Sequence, residues 1–303
     1  TTDLAAKLNA GRFMLTANLT PTQVADALVN NAVQIRTVDV TFREGLRIEQ
    51  MAAKLQTVTG TQVDAKAFYD LAMHPTDVLL GDFPWILPES VHPKGASLEG
   101  FLYPATYTLR IDDLAPTTAE DLVRMMLKAF YDRVGQERLD VPKSRGLSFY
   151  QVLTLASIVE REAVLDEERP LIAGVYQNRL NPKKWVTQLL QSDPTIFYTN
   201  DTLQLGATKF ANWSKYVFWT TLKEQLPVPL PEALAGYNTY TSKGLPPGPL
   251  CSPALASIDA AISPNTKTGY LFFIAKGDGS NSSAFAKTQA EHERNVAKYG
   301  KKR

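Results

Sequence analysis

The sequence predicts an α+β protein, with a small strand-helix-helix module followed by a mainly helical domain that contains a few strands. Three observations lead there. Apolar and polar residues alternate in TVDVTF (37–42), and the period changes to a helical one in RIEQMAAKLQ (47–56). Beyond residue 95, capping signatures recur ahead of amphipathic stretches. Close to the C-terminus, YLFFIA (270–275) is a short apolar run of strand type.

Taken in order, RFMLTANLTPTQVADALVNNAV (12–33) reads as a short strand and then a helix opening at Thr20-Pro21, where proline suits the first turn. TVDVTF follows as a half-buried strand, and Glu44-Gly45 turns the chain into a helix carried by Ile48, Met51, Ala52 and Leu55. A second helix covers DAKAFYDLAM (64–73), and Pro84 to Pro93 forms the seam. This organisation gives two parts, residues 1–95 and 96–303.

In the second part, Thr117 and Glu120 form a capping box before DLVRMMLKAFYDRVG. Ser148 and Gln151 form another, with Leu147 placed to staple onto Val152. ERPLIAGVYQNRL (168–180) is a third helix. Residues 199–231 lack a period and read as an elaborated loop. Ser252-Pro253 opens ALASIDAAI, and KTQAEHERNVAKY (287–299) is a terminal helix.

Composition narrows the function. Among 303 residues, the formal net charge of +1 supplies no electrostatic preference for nucleic acid. The single cysteine, Cys251, allows no internal disulfide. His74, His92 and His292 lie too far apart in sequence for metal-ligand spacing, so no metal or other cofactor is implied. No apolar run reaches the ~18 residues a membrane span needs. The beginning TTDLAAKLNAGRF has neither an initiator methionine nor a signal peptide, and reads as a trimmed or processed form.

LTLASIVEREAV (153–164) carries the candidate chemistry. On a wheel of about 100° per residue, Phe149, Val152, Leu153, Ala156, Val159, Ala163 and Val164 form an apolar stripe. Glu160 falls near its centre, and Glu162 nearer its edge. A carboxyl group held in an apolar setting without a partner keeps its proton, as general-acid attack on a glycosidic oxygen requires. The alternative is a buried ion pair of Glu160 with Arg179 or Arg161. Two loops add sugar-compatible side chains: LLQSDPTIFY (189–198) brings Gln191, Ser192 and Asp193, and GYNTYTSKGLPPGP (236–249) brings Tyr237, Asn238 and Tyr240. Turn chemistry also accounts for the Asp-Pro and Pro-Pro-Gly signals.

Six blocks in order, LEGFLYPATYTL (98–109), LASIVEREA (155–163), IAGVYQNRL (172–180), LQSDPTIFY (190–198), YNTYTSKGLPPGPLCSP (237–253) and YLFFIAKGDG (270–279), resemble the YceG-like family of endolytic murein transglycosylases. The likeness covers residues 98–303. VDVTFREGLRIEQMAAKL resembles, more loosely, the LysM-like subdomain of that family. The resemblance implies a cell-envelope enzyme whose membrane anchor precedes this region and whose catalytic part faces outward. It implies peptidoglycan glycan strands as substrate and penicillin-binding proteins as neighbours. It also implies Glu160 as catalytic residue, Glu162 as the weaker candidate, and Gln191, Asp193, Tyr237, Asn238 and Tyr240 as substrate-binding residues.

The sequence departs from the family in two places: 199–231 is long, and NSSAFAKT (281–288) lacks a histidine common there. The lytic reaction implied would cleave the bond between N-acetylmuramic acid and N-acetylglucosamine without water, leaving a 1,6-anhydro end and terminating nascent strands. One carboxylate suffices for that route, whereas hydrolysis needs two. A muramidase using Glu160 with Asp193, and a non-catalytic peptidoglycan-binding protein, are the alternative readings.

Overall fold

The computed structural model describes residues 18–30, 36–112, 115–140, 147–220 and 225–300, together with Phe13, Leu15 and Leu222. Helix α1 (Pro21–Asn30) begins where proline predicts it. The strand expected before it lies largely outside the described residues. Strand β1 (Thr37–Thr41) leads through the Glu44-Gly45 turn to α2 (Ile48–Leu55) and α3 (Ala65–Met73), as the change of period predicts. Asp64 caps α3 by accepting from Lys66 N and Ala67 N.

Within residues 37–110, two elements go beyond the sequence-based expectation. Helix α4 (Asp77–Gly81) is a single capped turn, and β2 (Thr106–Arg110) is a five-residue strand whose alternation is too short to stand out in sequence. Strand β2 pairs antiparallel with β1, from Thr37↔Arg110 to Thr41↔Thr106. Val40, Tyr107 and Leu109 point into the core, and the exposed side chains of Thr41 and Thr106 meet at 2.8 Å on the other face. The two strands come from opposite sides of residue 95, and one hydrophobic core runs through both parts of the chain.

Helix α5 (Ala119–Asp140) bends at Gly135, whose φ of 73° only glycine adopts readily. Its cap lies one residue beyond the expected Thr117–Glu120 pair. Thr118 and Asp121 exchange the reciprocal bonds, while Thr117 Oγ1 accepts from Arg110 N at the end of β2. Helix α6 (Phe149–Glu162) does open on the Ser148–Gln151 box. A 3₁₀ turn (Asp166–Glu168) precedes α7 (Arg169–Leu180).

Part of the stretch expected to be loop is helical. Helix α8 (Asp193–Gly206) runs well into it, and a 3₁₀ segment (Phe210–Lys215) follows. The period is masked because α8 buries hydroxyls as well as apolar groups: Thr195, Thr199 and Thr202 return their side chains to backbone carbonyls three or four residues back. Short α9 (Glu232–Ala235) and then α10 (Leu255–Ile262) follow. Strands β3 (Phe272–Ala275) and β4 (Ser283–Ala286) form a hairpin paired from Phe272↔Ala286 to Ala275↔Ser283. Helix α11 (Gln289–Tyr299) packs on that hairpin and opens with a Thr288–Glu291 capping box.

At the centre lies α6, with every residue from Val152 to Val159 buried, Thr154 and Ser157 included. Their hydroxyls donate to the carbonyls of Tyr150 and Thr154. The helix is therefore packed around its whole circumference rather than along one stripe. Against it, α7 makes a close approach to the loop after α10. A Cβ at Gly174 would collide with the Asn265 carbonyl group, so no larger residue fits.

The amino-terminal part also grips the second part directly. Arg47, fully buried at the start of α2, makes paired 2.7 Å bonds to Glu49 and donates to Tyr198 O and Thr202 Oγ1 of α8. Its guanidinium carbon sits 4.0 Å from the Tyr198 ring centre. Gln50 and Gln56 hold Trp219 and the Phe210 carbonyl. Among the described residues, no helix is long and apolar enough to cross a membrane.

Candidate active site

The two glutamates of the α6 C-terminus have different surroundings. Oε2 of Glu160 accepts from Ser257 Oγ at 2.7 Å, from Ala254 N at 3.0 Å and from Arg169 Nη1 at 3.0 Å. Ala254 N is at the amino-terminal end of α10, so the carboxylate also meets the positive end of that helix. Arg169 in turn reaches Asp166 through Nε. Glu160 thus ties α6 to the starts of α7 and α10. It has the buried-pair alternative foreseen from sequence, but its partner is Arg169 rather than Arg179 or Arg161.

Glu162, two residues further on, opens onto a cleft of about 880 Å³. One wall is built by Glu162, Tyr176, Arg179, Gln191, Asp193 and Tyr240, and the facing wall by β3 and by Gln289, His292, Val296 and Tyr299 of α11. Glu160 does not line it. Oε1 of Glu162 accepts from Tyr176 OH at 2.6 Å and from Ser192 Oγ at 2.8 Å. Among the described residues, nothing hydrogen-bonds its Oε2. Burial pushes the Glu162 carboxyl above its ordinary range, the bonds from Tyr176 and Ser192 oppose this, the charge of Asp193 adds to it and that of Arg179 subtracts.

The second carboxylate of the cleft is Asp193, exposed at the start of α8, which accepts from Tyr240 OH at 2.6 Å. Burial, then the bond to Asp193, push the Tyr240 hydroxyl upward, so it stays a donor at neutral pH. Gln191 holds a left-handed backbone, φ 52°, that turns its side chain into the cleft while its N–H donates to Thr239 O. Ser192 N and Thr195 Oγ1 both meet Thr239 Oγ1. This buried knot of hydroxyls joins LQSDP to YNTYT, so the two loops singled out in sequence form one side of one site.

Three of the five expected binding residues, Gln191, Asp193 and Tyr240, therefore line the cleft with Glu162. The other two lie apart from it. Tyr237 stacks on Tyr198 with ring centres 4.7 Å apart, and Asn238 faces a second cavity behind Tyr240, accepting from Tyr240 N. Residues not anticipated are Tyr176, Arg179, Ser192 as a ligand of Glu162, and the β3–α11 wall. In sequence their only signal is the polar and aromatic content of VYQNR. His292 sits on the far wall, stacked on Phe272 at 5.0 Å, although the 281–288 stretch has no histidine. Among the described residues, no group of three or more His, Cys, Asp or Glu is placed to hold a metal ion.

The model of the YceG-like family matches residues 1–298. A Bacillus subtilis (strain 168) protein named endolytic murein transglycosylase is 31% identical over 300 residues, spanning 97% of this chain and 74% of that protein. A protein of the same name from Streptococcus pneumoniae serotype 2 (strain D39) is 34% identical over 261 residues, spanning 85% of this chain but 40% of its own length. The crystal structure of a yceG-like protein of Listeria monocytogenes superposes with a TM-score of 0.62 at 28% identity, covering 97% of this chain and 86% of that one. The chain belongs to the YceG-like family.

Proposed function

We propose that the protein is a peptidoglycan lytic transglycosylase and that Glu162, rather than Glu160, is its acid and base. The observation that carries this reading is a half-buried carboxyl group held on one oxygen only, at the wall of a large polar-aromatic cleft. Tyr176 and Ser192 fix Oε1 and leave Oε2 for the proton. Glu160 is spent on Arg169 and the α10 terminus, with no face on the cleft.

Glu162 would protonate the glycosidic oxygen between N-acetylmuramic acid and N-acetylglucosamine as the bond to C1 breaks. The resulting carboxylate would accept the proton of the muramoyl 6-hydroxyl as that oxygen closes onto C1. The acid is regenerated, no water is consumed, and the new end is a 1,6-anhydro sugar. Tyr240, Gln191 and Asp193 would hold sugar hydroxyls along the same wall. The names of the relatives support murein as substrate.

The finer reading extends this to termination of nascent strands, next to penicillin-binding proteins, by an enzyme anchored in the cell membrane with its catalytic part outside the cytoplasm. The strand-helix-helix order that opens residues 37–110 is compatible with a LysM-like contribution to wall binding. Product analysis on purified sacculi tests the chemistry. The lytic route gives muropeptides lighter by one water than hydrolytic products, and Glu162→Gln abolishes them. Products with a reducing end would favour a muramidase in which Asp193 is the second carboxylate. Binding to sacculi without any turnover would favour a non-catalytic protein.

A further inference from the structure

Arg179 is 7% exposed, yet among the described residues no carboxylate lies within ion-pair distance of it. Its Nε donates to Leu271 O at 2.7 Å and its Nη1 to Leu190 O. Its guanidinium carbon lies 5.1 Å from the Trp185 ring centre and 5.3 Å from that of Phe272. The two carbonyls belong to the segments that enter the cleft, one just before Gln191 and one just before β3. A neutral donor could tie those segments together. A buried positive charge without a counter-ion is costly, so its retention at a cleft wall calls for an anion formed there.

Glu162 is that anion for part of each cycle. The charged and titratable groups around it are Tyr176 and Arg179 on α7, Asp193 at the start of α8, Tyr240 after α9, Arg161 on its own helix, and His292 and Tyr299 on the facing α11. Asp193 faces the same wall with the opposite sign and is exposed.

We propose that Arg179 and Asp193 bracket Glu162 with opposite charges, so that a single carboxyl group can release its proton in the first half of the reaction and take one back in the second. This rests on the reading of Glu162 as acid and base. As the bond between C1 and the glycosidic oxygen breaks, the Glu162 proton moves to that oxygen, and Arg179 stabilises the carboxylate left behind. As the muramoyl O6–C1 bond forms, the 6-hydroxyl proton returns to Glu162, and Asp193 favours its retention. Protons and atoms balance with the substrate alone. The opposed effects of Arg179 and Asp193 on the Glu162 carboxyl agree with this arrangement.

The test is the pH dependence of kcat on peptidoglycan, using the whole chain and counting anhydro ends by mass spectrometry. Arg179→Gln is expected to lower kcat about tenfold and to move the alkaline limb up by about one pH unit, because the acid form persists longer. Asp193→Asn is expected to move the same limb down by about as much, and Arg179→Lys to keep it near its original position. Asp193 is exposed, so Asp193→Asn decides the matter even if Arg179→Gln does not fold. An unmoved limb in the variants that fold would reduce both residues to scaffolding and overturn the proposal. Complete loss of turnover in Asp193→Asn would also overturn it, because a charge that only biases the Glu162 proton leaves turnover reduced and not abolished. Full activity of Glu162→Gln would instead remove the reading beneath it, which neither of those outcomes does.

Discussion

Replacing Glu160 tests whether its carboxylate is structural and that of Glu162 catalytic. Its side chain is 8% exposed and that of Arg169 is 10% exposed, so the pair is shielded from solvent screening. Glu160→Ala removes the acceptor of three donors at once: a guanidinium N–H, a hydroxyl and the Ala254 N–H at the start of α10. Breaking a buried pair from one side costs about 3–5 kcal/mol, most of it from the charge left behind. Here Asp166 and Ser257 still hold Arg169, which places the expectation near the lower end, at about 3 kcal/mol. For a chain of this size each kcal/mol moves Tm by roughly 2 °C, so a drop of about 6 °C is expected. Glu160→Gln keeps an oxygen for Ala254 and Ser257 and should lose about half as much. Thermal melts followed by circular dichroism, paired with anhydro-end release at ~25 °C, provide the assay. Glu160→Gln should stay active and melt early, whereas Glu162→Gln should melt no earlier than wild type and be inactive. A Glu160→Gln protein with wild-type Tm and no activity, beside an active Glu162→Gln, would refute the assignment.

Other outcomes follow from single contacts. Ser192→Ala removes one of the two donors to Glu162 Oε1, so the carboxyl rises further and the alkaline limb of kcat shifts to higher pH; an unchanged limb in pH profiles would contradict this. Glu99 is buried with Oε1 unpartnered, and burial, then the Glu49 charge, hold it well above the usual carboxylate range. The folded state therefore binds its proton more tightly than the unfolded state, and the stability it contributes is present below about pH 4 and lost as pH rises toward the folded value. Urea titrations from about pH 5 to 8 should show wild type losing up to about 1.4 kcal/mol per pH unit relative to Glu99→Gln, and parallel curves would disprove it. Gly174→Ala forces a methyl group against the Asn265 backbone and should cost about 1–3 kcal/mol, read as an earlier melt.

Much of the fold was legible because its signals are local. The helices α2, α3, α6, α7, α10 and α11 announce themselves by period and by caps within a few residues. What stayed hidden depends on distant partners. Strand β2 exists because β1 is there to pair with it, and α8 buries threonines that sequence patterning scores as loop. The site was legible as a neighbourhood, since LASIVEREA, LQSDP and YNTY converge on one cleft or its immediate surroundings. The helical wheel singled out Glu160 because it assumed one packed face. Since α6 is enclosed on all sides, distance from the apolar stripe does not mean exposure, and Glu162 reaches the cleft wall from the stripe's edge. Arg169 as the partner of Glu160 could not be chosen among several arginines before the α7 start was placed.

Arg47 also constrains the order in which the molecule can be completed. Its acceptor at Tyr198 lies 151 residues further along the chain. Until α8 has been made, the arginine and its Glu49 partner lack the lid that takes them out of water, and β1 is unpaired until β2 arrives 65 or more residues later. The segment from β1 to α2 is therefore made well before it can become native, and long-range closure of this kind slows folding. A chain stopped before Tyr198 should carry its early helices as a loose, protease-sensitive intermediate, and extension through α8 should convert it to a cooperatively folded body.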